Sequence, residues 1–176
     1  DASGNRQYLL TKTTAGKIRA HVGITNGVFY YTDGPTVLTP ETWHHVAITY
    51  STAASNLCIY VNGALDTNVL VSGSLLTTTQ PLYLGGAPPW NYWWQGRIDE
   101  PSLYNRALSA SEIQAIYDAG AAGKANPNCV TAPTNIVAWW PGDDTPYDFA
   151  RTNHATLQNG ATYAAAVAGS GFSLDG

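Results

Sequence analysis

Asp99 and Glu100 stand side by side in Gly96-Arg97-Ile98-Asp99-Glu100, a stretch that reads as β-strand. Two carboxylates are what glycoside hydrolysis requires, and a retaining hydrolase holds them about 5 Å apart on either side of one bond. Neighbours on a strand point to opposite faces, and Asp99 shares its face with Arg97 and Pro101. The pair is therefore badly placed to act on one bond. His44 and His45 are adjacent and face opposite ways, so they cannot chelate one ion together, while His21 and His154 have no obvious partners. No Ser-His-Asp or Cys-His constellation can be argued from this chain. The expectation is a protein that is not an enzyme.

Two other stretches could bind rather than react. Ala87 to Gln95, APPWNYWWQ, is dense in aromatics. Exposed rings at a sheet rim mark an interface, and pyranose rings stack on such faces through their C–H groups. Trp90, Asn91, Tyr92 and Trp93 form the candidate ligand-binding set, with the amides of Asn91 and Gln95 available to sugar hydroxyls. The competing reading is that these rings only cover a sheet edge. The second stretch, Gly142 to Asn153, offers Asp143, Asp144, Asp148 and Asn153 at loop spacing. Calcium takes six to eight hard oxygens from such groups, so the loop reads as a structural Ca2+ site or as a solvated acidic turn.

These groups are carried by sheet. Trp43 to Tyr50 and Leu57 to Val61 alternate apolar with other residues at a period of two, and Asn62-Gly63 supplies the positive φ angles of a tight hairpin. Tyr8–Leu10, Lys17–Val22, Gly27–Tyr31, Pro81–Leu84 and Ser102–Asn105 read as further strands, the last bulged at Pro101. One helix is expected. Ser109 and Glu112 form a capping box, Ile113, Ile116 and Tyr117 share a face, and Gly120 stops the run. After the linker-like Ala119–Pro133, strand signals resume at 135–140, 155–157 and 171–174.

With 176 residues the chain is most simply one domain with a sizeable core. Only 11% of residues are charged, and 17 glycines and 10 prolines mark frequent turns, which suits an all-β sandwich. A net charge of −4 without a basic stripe excludes nucleic acid as the expected partner, and no apolar run is long enough for membrane insertion. No signal peptide is legible, so any export signal is expected to have been removed or to lie outside these residues. Cys58 reads as a buried small hydrophobe; a bridge to Cys129 is the alternative.

Five motifs in order, Trp43-His44-His45-Val46-Ala47, Leu57 to Gly63, Leu82-Tyr83-Leu84-Gly85-Gly86, Gly96 to Glu100 and Leu103 to Ser109, resemble the C-terminal two-thirds of a laminin-G-like domain. This is the concanavalin A-like lectin/glucanase family. The resemblance implies an antiparallel β-sandwich of jelly-roll type with one short helix. It also implies a core role for Trp94, and it brings Asp99 toward the loop carrying Asp148 and Asn153 as a calcium ligand. Hydrolases of this fold carry acids at alternating positions on one face, a pattern this sequence does not match.

The tail, Ile136 to Gly142, Asn159 to Tyr163 and Phe172 to Gly176, resembles the beginning of such a domain. The start thus follows the end. Residues 1–120 are read as the main body, 121–135 as a linker and 136–176 as the first strands of the next repeat. The tail either packs on the body as in a circular permutant, in a monomer, or pairs with a neighbouring molecule as a tail-swapped dimer. The resulting expectation is a non-catalytic, lectin-like module of a secreted or cell-surface multidomain protein, bacterial in type, that binds a polysaccharide. The alternatives are a structural or adhesion repeat without a sugar site and, remotely, a glycoside hydrolase.

Overall fold

A computed structural model describes residues 7–87, 91–122 and 133–176. The fold is all-β and antiparallel, a β-sandwich of jelly-roll class with one short helix. The chain forms two compact units, one of residues 1–82 and 106–117, the other of 83–105 and 118–176.

In the first unit, β1 (Tyr8–Lys12), β2 (Lys17–Gly23) and β3 (Phe29–Val37) make one three-stranded sheet. A second contains β4 (Val46–Ser51), β5 (Asn56–Val61) and β6 (Ala64–Leu70). The inner faces share one core of Ile18, Ala20 and Val22 from β2 with Leu57, Ile59 and Val61 from β5, closed by Ile24 and Val71. Period-two alternation in β2 places these side chains together, since every second residue turns inward. β5 departs from the expected one-sided burial. Cys58 and Tyr60 are buried along with Leu57, Ile59 and Val61. As the central strand it is covered on both faces, which alternation alone cannot reveal. Cys58 is a free thiol, and Cys129 lies outside the described residues.

The Asn62-Gly63 turn is as expected, with both residues at positive φ (50° and 80°). The Asn62 side chain accepts from His45 N–H at 3.1 Å. The first central strand starts at Val46 rather than Trp43, leaving Trp43 43% exposed. Helix α1 (Ala110–Ala119) starts on the capping box: Glu112 N–H donates to Ser109 Oγ at 3.2 Å, and Ser109 N–H to Glu112 Oε2 at 2.9 Å. Arg106 grips the same carboxylate through both nitrogens at 2.8 and 2.6 Å, and these bonds hold Glu112 down to about 2. Ile113 is the buried residue of the helix.

In the second unit, β7 (Gly86–Ala87) pairs with β8 (Tyr92–Trp93). β9 (Gln95–Ile98) pairs with β13 (Ser170–Asp175), which pairs in turn with β12 (Thr162–Ala165). β10 (Ser102–Tyr104) pairs with β11 (Ile136–Trp139). Strands of the 136–176 segment are thus hydrogen-bonded to strands between 95 and 104. Ala138, Trp140 and Phe172 form the core, with Leu84, Leu103, Ala155 and Tyr163 against it. Two expected strands do not form. Residues 81–84 and 155–157 lie in no strand. Leu84 and Ala155 serve the core as single anchors instead, because a strand needs a ladder partner as well as apolar residues.

Candidate functional site

The aromatic set sits on the short β7–β8 hairpin, with Trp90 outside the described residues. Asn91 adopts a left-handed φ of 54°, a conformation its short polar side chain tolerates, and turns the chain into β8. Its Oδ1 accepts from Trp93 Nε1 at 2.9 Å, which pins the indole. Gly86 is the cross-strand partner of Trp93, and a Cβ there would come within 2.9 and 3.0 Å of the indole carbons Cζ3 and Cε3. The ring therefore lies against bare backbone, and only glycine lets it do so. Trp93 remains 46% exposed and Tyr92 61%. The hairpin presents two aromatic surfaces, one locked by a hydrogen bond and a glycine seat. Trp94, expected in the core, is half-buried rather than buried.

The acids take separate duties. Asp99 Oδ2 accepts from Val167 N–H at 3.0 Å and Ala168 N–H at 2.9 Å, anchoring the turn between β12 and β13. Its Oδ1 is buried and has no hydrogen-bond partner among the described residues. Burial pushes the Asp99 carboxyl above the usual range, assisted by Glu100 and Asp143 and opposed by the two amides. Glu100, at φ 54°, turns its side chain to Trp139, whose Nε1 donates to Oε2 at 2.7 Å. The two carboxylates are held by different donors, but not through strand alternation: β9 ends at Ile98, so Asp99 and Glu100 lie beyond the strand expected over 96–100, and the left-handed φ of Glu100 turns its side chain away.

Asp143 Oδ1 accepts from Ser170 N–H at 2.9 Å. Asp148 is 3% exposed. Its Oδ1 accepts from the N–H of Trp139 and of Ala150, both at 2.9 Å. Its Oδ2 accepts from the N–H and the side-chain amide of Asn153, both at 3.1 Å. Burial raises this carboxyl, but the surrounding amides outweigh it and hold Asp148 below its ordinary value. Four accepted bonds fill the acceptor sites of a carboxylate, so Asp148 does not fit a cation ligand. Among the described residues no three His, Cys, Asp or Glu side chains come together as metal ligands.

The same loop shows a feature that sequence reasoning missed. Tyr147 and Phe149 flank buried Asp148 and are 57% and 56% exposed. Tyr147 packs on His154 with ring centroids 4.8 Å apart, and Phe149 meets Trp139 edge-on at 5.8 Å. The signal was available: an acid flanked by aromatics in a Pro-containing loop. Of the histidines, His44 bonds Thr39 O at 3.1 Å and His154 Nδ1 accepts from Asp148 N–H at 3.2 Å.

A laminin-G model of the concanavalin A-like lectin/glucanases superfamily matches residues 1–114. The chain belongs to this superfamily. No curated protein matches it in sequence. Among solved structures, a candidate carbohydrate binding protein from Bacteroides ovatus is similar with a TM-score of 0.60 at 16% identity. The match covers 99% of this chain and 46% of that one, and the likeness is one of fold. An S-layer domain-containing protein from Clostridium thermocellum is 27% identical over 66% of this chain and 59% of its own, with a TM-score of 0.40. The chain therefore spans 46% and 59% of the lengths of these two structures.

Proposed function

We propose that this concanavalin A-like chain is a non-catalytic carbohydrate-binding module of an extracellular protein. The observation that carries the proposal is the β7–β8 hairpin, where Trp93 is fixed by Asn91 and seated on Gly86 beside exposed Tyr92. A ring that is already immobile loses little conformational entropy when a sugar stacks on it. Catalysis is disfavoured because Asp99 is spent on turn amides and Glu100 on an indole.

The test is thermal melting and isothermal titration against a panel of soluble neutral and acidic polysaccharides. A ligand that binds only the folded state raises the melting temperature by mass action. Tyr92→Ala and Trp93→Ala should each weaken binding of a recognised glycan by about tenfold, corresponding to about 1.4 kcal/mol. If no polysaccharide binds the wild-type chain, the proposal fails and an adhesion or structural repeat is the better reading.

A further inference from the structure

The outer face of the β12–β13–β9 sheet lies in the same unit as the aromatic hairpin and follows it directly in the chain. Strand register sets Thr162, Ser173 and Arg97 in one row across the three strands and places Asp175 opposite Gln95 in the next. These residues alternate with Tyr163, Phe172 and Leu174. Phe172 belongs to the core and Tyr163 packs against it, so Thr162, Ser173, Arg97, Gln95 and Asp175 turn the other way. Gln95, Arg97, Thr162 and Asp175 are exposed accordingly. Trp93, two residues before Gln95, is exposed as well, whereas Nε1 of the intervening Trp94 is buried. From Trp93 to Arg97 this line runs about 13 Å, longer than one pyranose ring.

The hydrogen-bonding capacity of the face is unspent. Gln95 and Asp175 stand directly opposite, with Cβ atoms about 5 Å apart. Yet the side chains of Gln95, Asp175, Thr162 and Ser173 make no hydrogen bond among the described residues. Arg97 is pinned instead: Nη1 donates to Ala165 O on β12 at 2.7 Å, which carries the side chain across β13. Its Nε and Nη2 donate to no described residue. Arg97 and Asp175 are the charged residues of these three strands, and their charges cancel. The face thus holds a carboxylate that only accepts, a guanidinium that only donates, and an amide and two hydroxyls that do both. That set is complementary to vicinal hydroxyls, each a donor and an acceptor, and offers no net charge to an ion.

We propose that this face binds a neutral polysaccharide, with one pyranose ring on Trp93 and the hydroxyls of the next sugar held by Gln95 and Asp175. Arg97 donates to oxygens further along the chain. The inference rests on the carbohydrate-binding reading of the hairpin and adds to it the ligand class and the residues that read the hydroxyls. Strands carry every polar member, so their spacing is set before binding, as a preorganised site requires.

The experiment titrates the whole chain with laminarin, soluble arabinoxylan and galactomannan as neutral probes and with oligogalacturonate as the acidic one. Measurements are made at low salt and at about 1 M salt, where charges are screened beyond roughly 3 Å. The variants are Gln95→Ala, Asp175→Ala, Asp175→Asn and, as a control in the other unit, Tyr31→Ala, each checked for an unchanged melting temperature. Asp175→Ala should weaken binding of the recognised neutral probe about tenfold, the loss of bonds to a charged acceptor. Gln95→Ala should weaken it about threefold, and Tyr31→Ala should bind as wild type does. Asp175→Asn leaves Arg97 uncompensated, so oligogalacturonate should bind it about threefold better than wild type at low salt and no better at high salt.

Three outcomes overturn the proposal. If a neutral probe binds Asp175→Ala and Gln95→Ala as well as wild type, this face is not the subsite, while the carbohydrate-binding reading of the hairpin stands. If oligogalacturonate alone binds wild type, or Asp175→Asn leaves its binding unchanged, the charge balance does not set the ligand class. If neither these probes nor the wider panel binds, both proposals fall together.

Discussion

Asp148→Asn tests the physical account of the loop on which Tyr147 and Phe149 are displayed. The carboxylate accepts four hydrogen bonds, two on each oxygen. The amide keeps one carbonyl oxygen and replaces the other by an NH2 group that can only donate. Two of the four donors therefore lose their acceptor. A buried donor left unpaired costs about 1–3 kcal/mol. The amide will turn its NH2 toward Asn153, which is exposed and can be reached by water, rather than toward the buried N–H of Trp139. That choice keeps the loss near the low end, about 2 kcal/mol in all. The pH dependence follows from the depressed carboxyl. Its folded value lies below that of an unfolded aspartate, about 3.9. The Asp148 contribution is thus fully present above the unfolded value and is lost as pH falls through the folded one. Urea denaturation of wild type and variant at pH 7 should give the full difference, and the gap should narrow toward pH 3. A variant within about 0.5 kcal/mol of wild type at pH 7, the range of ordinary surface substitutions, would refute the reasoning. So would a gap that ignores pH.

Gly86→Ala should displace the Trp93 indole, because its Cβ would come within 2.9 Å of Cζ3; overpacking of this kind costs about 1–3 kcal/mol, and a shifted tryptophan emission with weakened glycan binding is the readout. Asp99→Asn keeps a carbonyl oxygen for the Val167 and Ala168 amides while removing a buried charge. The Asp99 carboxyl is raised, so its ionised form opposes folding above its folded value and that cost disappears as pH falls through it. The variant should melt at or above wild type at pH 7, with the gain shrinking at lower pH; a clear drop at pH 7 would contradict this. Ser109→Ala removes the Oγ acceptor of Glu112 N–H and should cost about 1 kcal/mol in denaturant unfolding, with no effect on glycan binding.

Much of the architecture was legible wherever the signal is local. The alternation of Lys17–Val22, the Asn62-Gly63 turn and the Ser109–Glu112 capping box each specify their geometry within a few residues, and each is found. The motifs running from Trp43 to Ser109 correctly indicated the superfamily. The candidate site was legible only in kind. The aromatic run announced a surface, but the seat that Gly86 makes for Trp93 depends on a cross-strand register.

What the sequence by itself determined is the class of fold and its antiparallel pairing around the 46–61 strands, because these follow from periodicity and turn chemistry. What only the tertiary structure decided is which partners distant residues meet. Asp99 reaches the amides of Val167 and Ala168, Glu100 reaches Trp139, and β13 finds β9. Tyr31 joins Arg19 and Asp33 only through the register of β2 against β3. Residues 81–84 and 155–157 make the same point in reverse, with strand-like composition and no ladder to join. Hydrogen-bond partners and electrostatic neighbours are set by which strand lies alongside, and that is fixed by burial of the whole core rather than by any local run of residues.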